Sequence, residues 1–126
     1  MKALIITDGT ESIETIALLI KETLTGYKTT ICPALNFKGN ELLGADLFFI
    51  GCEKPSPSSF NFLEKMLSHI NLAHKKCALF SVNQKAIKYL LGITKDCEAD
   101  TKEPFLPEGD IINKTIVKKW VKIAAK

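Results

Sequence analysis

Residues Lys2–Ile20 read KALIITDGTESIETIALLI, and the hydrophobic period changes halfway through them. Lys2 to Ile6 is a short apolar run stopped by the turn signal Thr7-Asp8-Gly9, the pattern of a buried strand. From Ile13 onward, Ile13, Ile16, Ala17, Ile20 and Leu24 recur at helical spacing on one face, with Glu14, Lys21 and Glu22 on the others. Gly26 follows the helix and is expected to take the left-handed position that closes it. A strand, a loop of small polar residues and a helix therefore follow one another within the first quarter of the chain.

The same alternation continues. Lys28–Pro33 (KTTICP) is β-rich, and Asn36 to Ala45, with Gly39, Asn40 and Gly44, has room for no more than a turn or two of helix. Asp46–Gly51 (DLFFIG) is a continuous apolar run, as in strands covered on both faces. After the turn-rich loop Glu53–Ser59, Phe60, Leu63, Leu67 and Ile70 predict a helix over 60–70, with Ser58 or Ser59 as its cap. Lys75–Val82 reads as a fourth strand and Gln84–Leu91 as a helix ending at Gly92. Ile93–Gly109 has the weakest pattern, with Glu103–Pro107 predicted as a short edge strand. Asp110–Lys126 is amphipathic, and Lys118, Lys122 and Lys126 read as its solvated face. Strands alternating with helices predict one α/β domain over 1–126: a doubly wound, five-stranded parallel sheet with helices on both faces.

The bulk numbers agree with a globular chain and narrow its functions. Of 126 residues, 46% are hydrophobic and 25% charged, and no apolar run approaches the roughly 20 residues that span a bilayer. The first residues lack the long apolar core of a signal peptide, so a cytoplasmic location is expected. The net charge is +3 and every basic residue is Lys, so the bidentate fork that reads bases or clamps phosphate is missing and nucleic-acid binding is not expected. The four cysteines form no C-x-x-C pair and read as buried free thiols.

With the strands in the order 2-1-3-4-5, the switch point lies between the first and third strands, and ligands of such sheets bind there. Three loops meet at that point: Thr7 to Ser12, Cys52 to Ser59, and Ser81 to Gln84. The first opens a helix, whose free amides and dipole favour an anion, with Thr7, Thr10, Ser12 and Thr15 as hydroxyl donors and Gly9 allowing close backbone approach. A second use of the same residues stands beside it. Asp8 or Thr10 caps the helix, Asp8 and Glu11 have the spacing of a capping box, and Glu11 and Glu14 complement the dipole. Other chemistry has little behind it. His69 and His74 share no helical face and have no third ligand, so no metal is expected. Cys52 has no evident histidine partner, and Asp8 stands without the acidic pair and third-strand aspartate of a phosphoacceptor domain.

The chain resembles a flavodoxin along nearly its whole length. KALIITDGTESIETIALLI resembles the family's first strand, phosphate loop and helix. LLGADLFFIGCEKPSPSSFNFLEKML (42–67) resembles its third strand and the loop beside the flavin. HKKCALFSVN (74–83) resembles the fourth strand, and IVKKWVKIAAK (116–126) the closing helix. The resemblance implies FMN over the three loops and electron transfer to a redox protein partner, by a monomer or weak dimer. Amides of Gly9, Thr10, Glu11 and Ser12 would face the phosphate; the backbone of Cys52, Glu53 and Lys54 and of Ser81, Val82 and Asn83 would flank the ring. The family's phosphate loop reads Ser/Thr-x-Thr-Gly-x-Thr. Aligned on it, Asp8 takes the first hydroxyl position, Thr10 keeps the second, Glu11 replaces the glycine and Ile13 the last threonine. A flavodoxin-like domain that has lost flavin and serves as an interaction or regulatory module is the alternative that these departures imply.

Overall fold

A computed structural model describes residues 1–107 and 112–126. Along the chain lie β1 (Lys2–Thr7), α1 (Glu11–Thr23), β2 (Lys28–Pro33), α2 (Gly39–Leu43), β3 (Leu47–Gly51), α3 (Asn61–Leu67), β4 (Lys76–Phe80), α4 (Gln84–Thr94), β5 (Asp100–Thr101) and α5 (Lys114–Ala124). The strands form one sheet in the order β2-β1-β3-β4-β5, every pairing parallel. This is the doubly wound architecture expected of the alternation.

Both faces of the sheet are covered, which is why β1 and β3 read as unbroken apolar runs. Successive side chains of a strand point to opposite faces. Leu4, Ile6, Phe48, Ile50 and Leu79 join Leu42, Leu63, Leu67 and Leu90 of α2, α3 and α4 in one core layer. Ala3, Ile5, Leu47, Phe49, Ala78 and Phe80 join Ile13, Ile16, Ile20, Val117 and Val121 of α1 and α5 in the other. All four cysteines are buried free thiols. Among the described residues no helix is long and apolar enough to cross a membrane.

Five details differ from the sequence reading. The strand expected over Glu103–Pro107 is instead the two-residue β5, followed by a lone bridge between Phe105 and Phe80. Lys102 and Phe105 still donate to the carbonyls of Cys77 and Leu79, so the segment follows β4, but Pro104 has no amide to continue the ladder. α4 runs through Gly92 to Thr94, because Thr94 is buried and Ile93 packs on the core; the chain leaves the helical region at Glu98, with φ of 64°. Gly26 does not take a left-handed conformation; among the described glycines only Gly9 does. Neither Ser58 nor Ser59 caps α3, since both lie in a 3-10 turn, Ser58–Phe60, that leads into it. The helix expected from Asp110 begins at Lys114, with the Asn113 side chain accepting the amides of Thr115 and Ile116 at 2.9 and 3.3 Å. The first residues of that expected helix, 110–111, lie outside the described residues.

Candidate functional site

The loops that leave β1, β3 and β4 do gather at the carboxyl rim of the sheet, and hydrogen bonds join them in a chain. The first link is Asp8. Its Oδ1 accepts the Thr10 amide at 3.1 Å and the Thr10 hydroxyl at 2.7 Å. Its Oδ2 accepts the Glu53 amide at 2.8 Å, from the loop after β3. The second link is Ser12, whose hydroxyl donates to Glu53 Oε2 at 2.7 Å. The third is Ser81, fully buried at the end of β4, whose hydroxyl donates to the Cys52 carbonyl at 2.6 Å.

Local sequence explains these contacts. Gly9, with φ of +83°, turns the chain so that the Asp8 carboxylate folds back on Thr10, an Asx-type turn that a side chain at position 9 would strain. Thr10 sits at the N-cap of α1, with extended φ and ψ of −72° and 151°, but its hydroxyl is turned to Asp8 and caps nothing. The capping reading therefore fails in detail. No capping box forms, and no side chain of the N-cap closes the first turn.

The hydroxyls expected to serve an anion are all engaged within the chain. Thr7, fully buried, donates to Glu14 Oε1. Thr10 donates to Asp8 and Ser12 to Glu53. Thr15 donates to the Glu11 carbonyl one turn back, at 2.9 Å. The loop's carboxylates thus act as internal acceptors for its hydroxyls. Nothing local in the sequence marks Glu14 or the Glu53 side chain as these acceptors. The Asp8-Gly9-Thr10 turn signal was readable there; the Ser12–Glu53 pairing spans 41 positions and was not.

The other expected residues also have structural duties. Ser81 accepts the Asn83 amide at 3.1 Å, and Asn83 caps α4 by accepting the Lys85 amide at 2.9 Å. Val82 packs on the α1/α5 layer. Cys52 is fully buried, and burial, with the Asp8 charge adding to it, pushes its thiol up to about 12. A thiol so held is protonated at neutral pH and is no nucleophile.

Between the first and second loops, those after β1 and β3, lies a cleft of about 530 Å³, lined by Asp8, Thr10, Glu53, Lys54, Pro55, Pro57, Ser58 and Ser59. Among the described residues, Lys54 is its one cation, and no aromatic side chain lines it. Phe60 is fully buried, its ring 6.4 Å from that of Tyr89, and Tyr89 donates to Glu64 at 3.0 Å. Ser81 to Gln84, the loop after β4, do not line this cleft. A smaller cleft of about 280 Å³, beside Lys2, Lys28, Asn40 and Glu41, lies near the opposite end of β1 and β2 and contains none of the expected site residues.

These residues do not fit FMN as the flavodoxin loop holds it. The Asp8 carboxylate already occupies the donors of Thr10 and Glu53, and the hydroxyls are taken. A dianion about 5 Å from a carboxylate meets roughly 3 kcal/mol of repulsion per pair of unit charges at an effective dielectric of about 20. Glu11 is exposed, so water screens its share; Asp8 and Glu53 are half-buried and are screened less.

No family model matches the chain, and no curated protein matches it by sequence. Solved structures do. A short-chain flavodoxin associated with a non-canonical PDU bacterial microcompartment superposes with a TM-score of 0.78 at 13% identity, covering 98% of this chain and 95% of that one. Flavodoxin 2 from Bacillus cereus gives 0.74 at 22% identity, covering 99% and 96%. A Fusobacterium nucleatum flavodoxin bound to flavin mononucleotide gives 0.66 at 14%, covering 98% and 95%. At these identities the likeness establishes a flavodoxin-like fold.

Proposed function

We propose that this flavodoxin-like domain works without a resident flavin, as an interaction or regulatory module that engages a protein partner at the carboxyl rim of its sheet. The observation that carries this reading is the internal use of the loop hydroxyls: Thr7, Thr10, Ser12 and Thr15 all donate to the chain's own carboxylates or carbonyl. The rim also offers something to a protein surface. Leu35, 79% exposed, follows β2, and Phe62, 49% exposed, opens α3 with its ring 6.0 Å from Phe37. Around the cleft, the carboxylates of Asp8 and Glu53 outnumber Lys54. A basic partner with an apolar edge suits that combination, although the chain as a whole carries +3.

The second reading is FMN-based electron transfer. It is favoured by the start of α1, where no side chain of the N-cap occupies the first helical amides, a position that attracts anions. It also draws on the likeness to flavodoxins, one of which holds flavin mononucleotide. In this reading the flavin would supply the redox chemistry, and the amides of Glu11 and Ser12 would hold its phosphate.

One titration separates the two. FMN is added to the purified protein while flavin fluorescence and Trp120 emission are followed. The flavin-free reading requires no saturable quenching up to tens of micromolar FMN and no yellow colour on purification. Stoichiometric quenching would replace it with the electron-transfer reading.

A further inference from the structure

We infer that Asp8 is the crevice's own anion: its carboxylate takes the donors that a ligand's acidic group would need, and so ties the β1 and β3 loops together without one. This rests on the flavin-free reading and says how that state is held. The carboxylate accepts three hydrogen bonds from two loops, the Thr10 amide and hydroxyl on one side and the Glu53 amide on the other. Two of the donors are backbone amides 43 residues apart in sequence, since Thr10 and Glu53 stand at positions 10 and 53. Ionic acceptors make the stronger class of such bonds. The start of α1 adds a favourable dipole to a negative group placed there. Gly9 has the left-handed conformation that the turn demands, so the backbone is shaped to deliver the carboxylate. The neighbouring carboxylates do not compete for these donors. Glu53 takes the Ser12 hydroxyl, Glu14 takes Thr7, and the Glu11 side chain is exposed.

If the carboxylate is an internal ligand, deleting it must leave a place that a small oxyanion can fill. The test compares wild type, Asp8→Ala and Asp8→Asn in thermal melts, with sodium formate or sodium chloride added at equal ionic strength, and repeats the FMN titration on each. Asp8→Ala is expected to melt about 5 °C or more below wild type. Tens of millimolar formate, but not chloride, should recover at least half of that loss. Wild type and Asp8→Asn, whose side chains fill the place, should shift by less than about 1 °C on formate. Asp8→Asn keeps an acceptor and loses the charge, so its melt should fall between the other two; it carries the test if Asp8→Ala does not fold. The inference is overturned if either variant melts with wild type, or if formate acts equally on all three. Uptake of FMN by wild type would instead remove the flavin-free reading itself, whatever the melts show.

Discussion

Ser81 at the end of β4 donates its hydroxyl to the Cys52 carbonyl at the end of β3, 2.6 Å away, and accepts the Asn83 amide at 3.1 Å. One buried hydroxyl therefore serves two backbone groups from two loops. Ser81→Ala leaves both without that partner in a place water does not reach, which costs about 1–3 kcal/mol. Urea denaturation monitored by Trp120 emission should show the loss, with an unchanged slope. A midpoint equal to wild type would mean that the tie is not needed.

Gly51 and Gly39 separate two kinds of crowding. A Cβ at Gly51 would stand 2.4 Å from the Phe80 ring, which is locked in the core between strands and helices. A Cβ at Gly39 would meet the Met66 methyl at the same 2.4 Å, but that is the free end of a flexible side chain. Gly51→Ala should thus destabilise by about 1–3 kcal/mol. Gly39→Ala should change stability by less than about 0.5 kcal/mol, helped by the better helix propensity of alanine at the start of α2. Equal losses in chemical denaturation would contradict the distinction.

Trp120 is the chain's one tryptophan and anchors α5. Its ring centroid lies 5.3 to 6.3 Å from those of Phe49, Phe80 and Phe105, and its indole N–H donates to the Glu103 carbonyl at 2.7 Å. Trp120→Phe keeps much of the apolar contact and loses the hydrogen bond, so a drop of about 1–2 kcal/mol is expected. Hydrogen exchange should show faster opening of 99–106 and α5, while β1 and β3 keep their protection. Uniform acceleration across the sheet would argue against a local anchor.

The thiols should make the fold sensitive to alkali. Burial pushes Cys52 up to about 12 and raises Cys77 and Cys97 as well; burial and its bond to Glu64 raise Tyr89. These groups bind a proton more tightly folded than unfolded. Their contribution is full below the unfolded thiol value of about 8.5 and is lost as pH climbs toward 12. Stability should be level from about pH 6 to 8 and fall above about 9. At pH 8 a thiol reagent should leave Cys52, Cys77 and Cys97 unlabelled until denaturant is added. Rapid labelling of the native chain at these positions would show that they are not sealed.

The parts legible in the sequence were those set by local period. β1 and β3 read as apolar runs because both faces of the sheet are covered, and α1 showed its buried stripe of Ile13, Ile16, Ala17 and Ile20. Topology alone brought the right three loops to one rim. What escaped was decided at a distance. Gly92 did not stop α4, because the buried Thr94 beyond it outweighs one weak helix former. β5 lies a few residues earlier than the local sequence indicates, because pairing with Lys76 and Cys77 selects Asp100 and Thr101, while Pro104 breaks the ladder further on. At the candidate site the hydroxyls were visible and their acceptors were not. Whether Ser12 faces a ligand or Glu53 is settled by a contact across 41 positions.

The two borders of the sheet are both unfit for extension. β2 opens on Lys28 and closes on Pro33, and β5 offers only Asp100 and Thr101 before the chain turns to Pro104. Charge, proline and brevity are the means by which native sheets avoid templating one another. Concentrated solutions of the native domain should therefore stay clear of fibrils, and any that form should come from chains that have already lost this border.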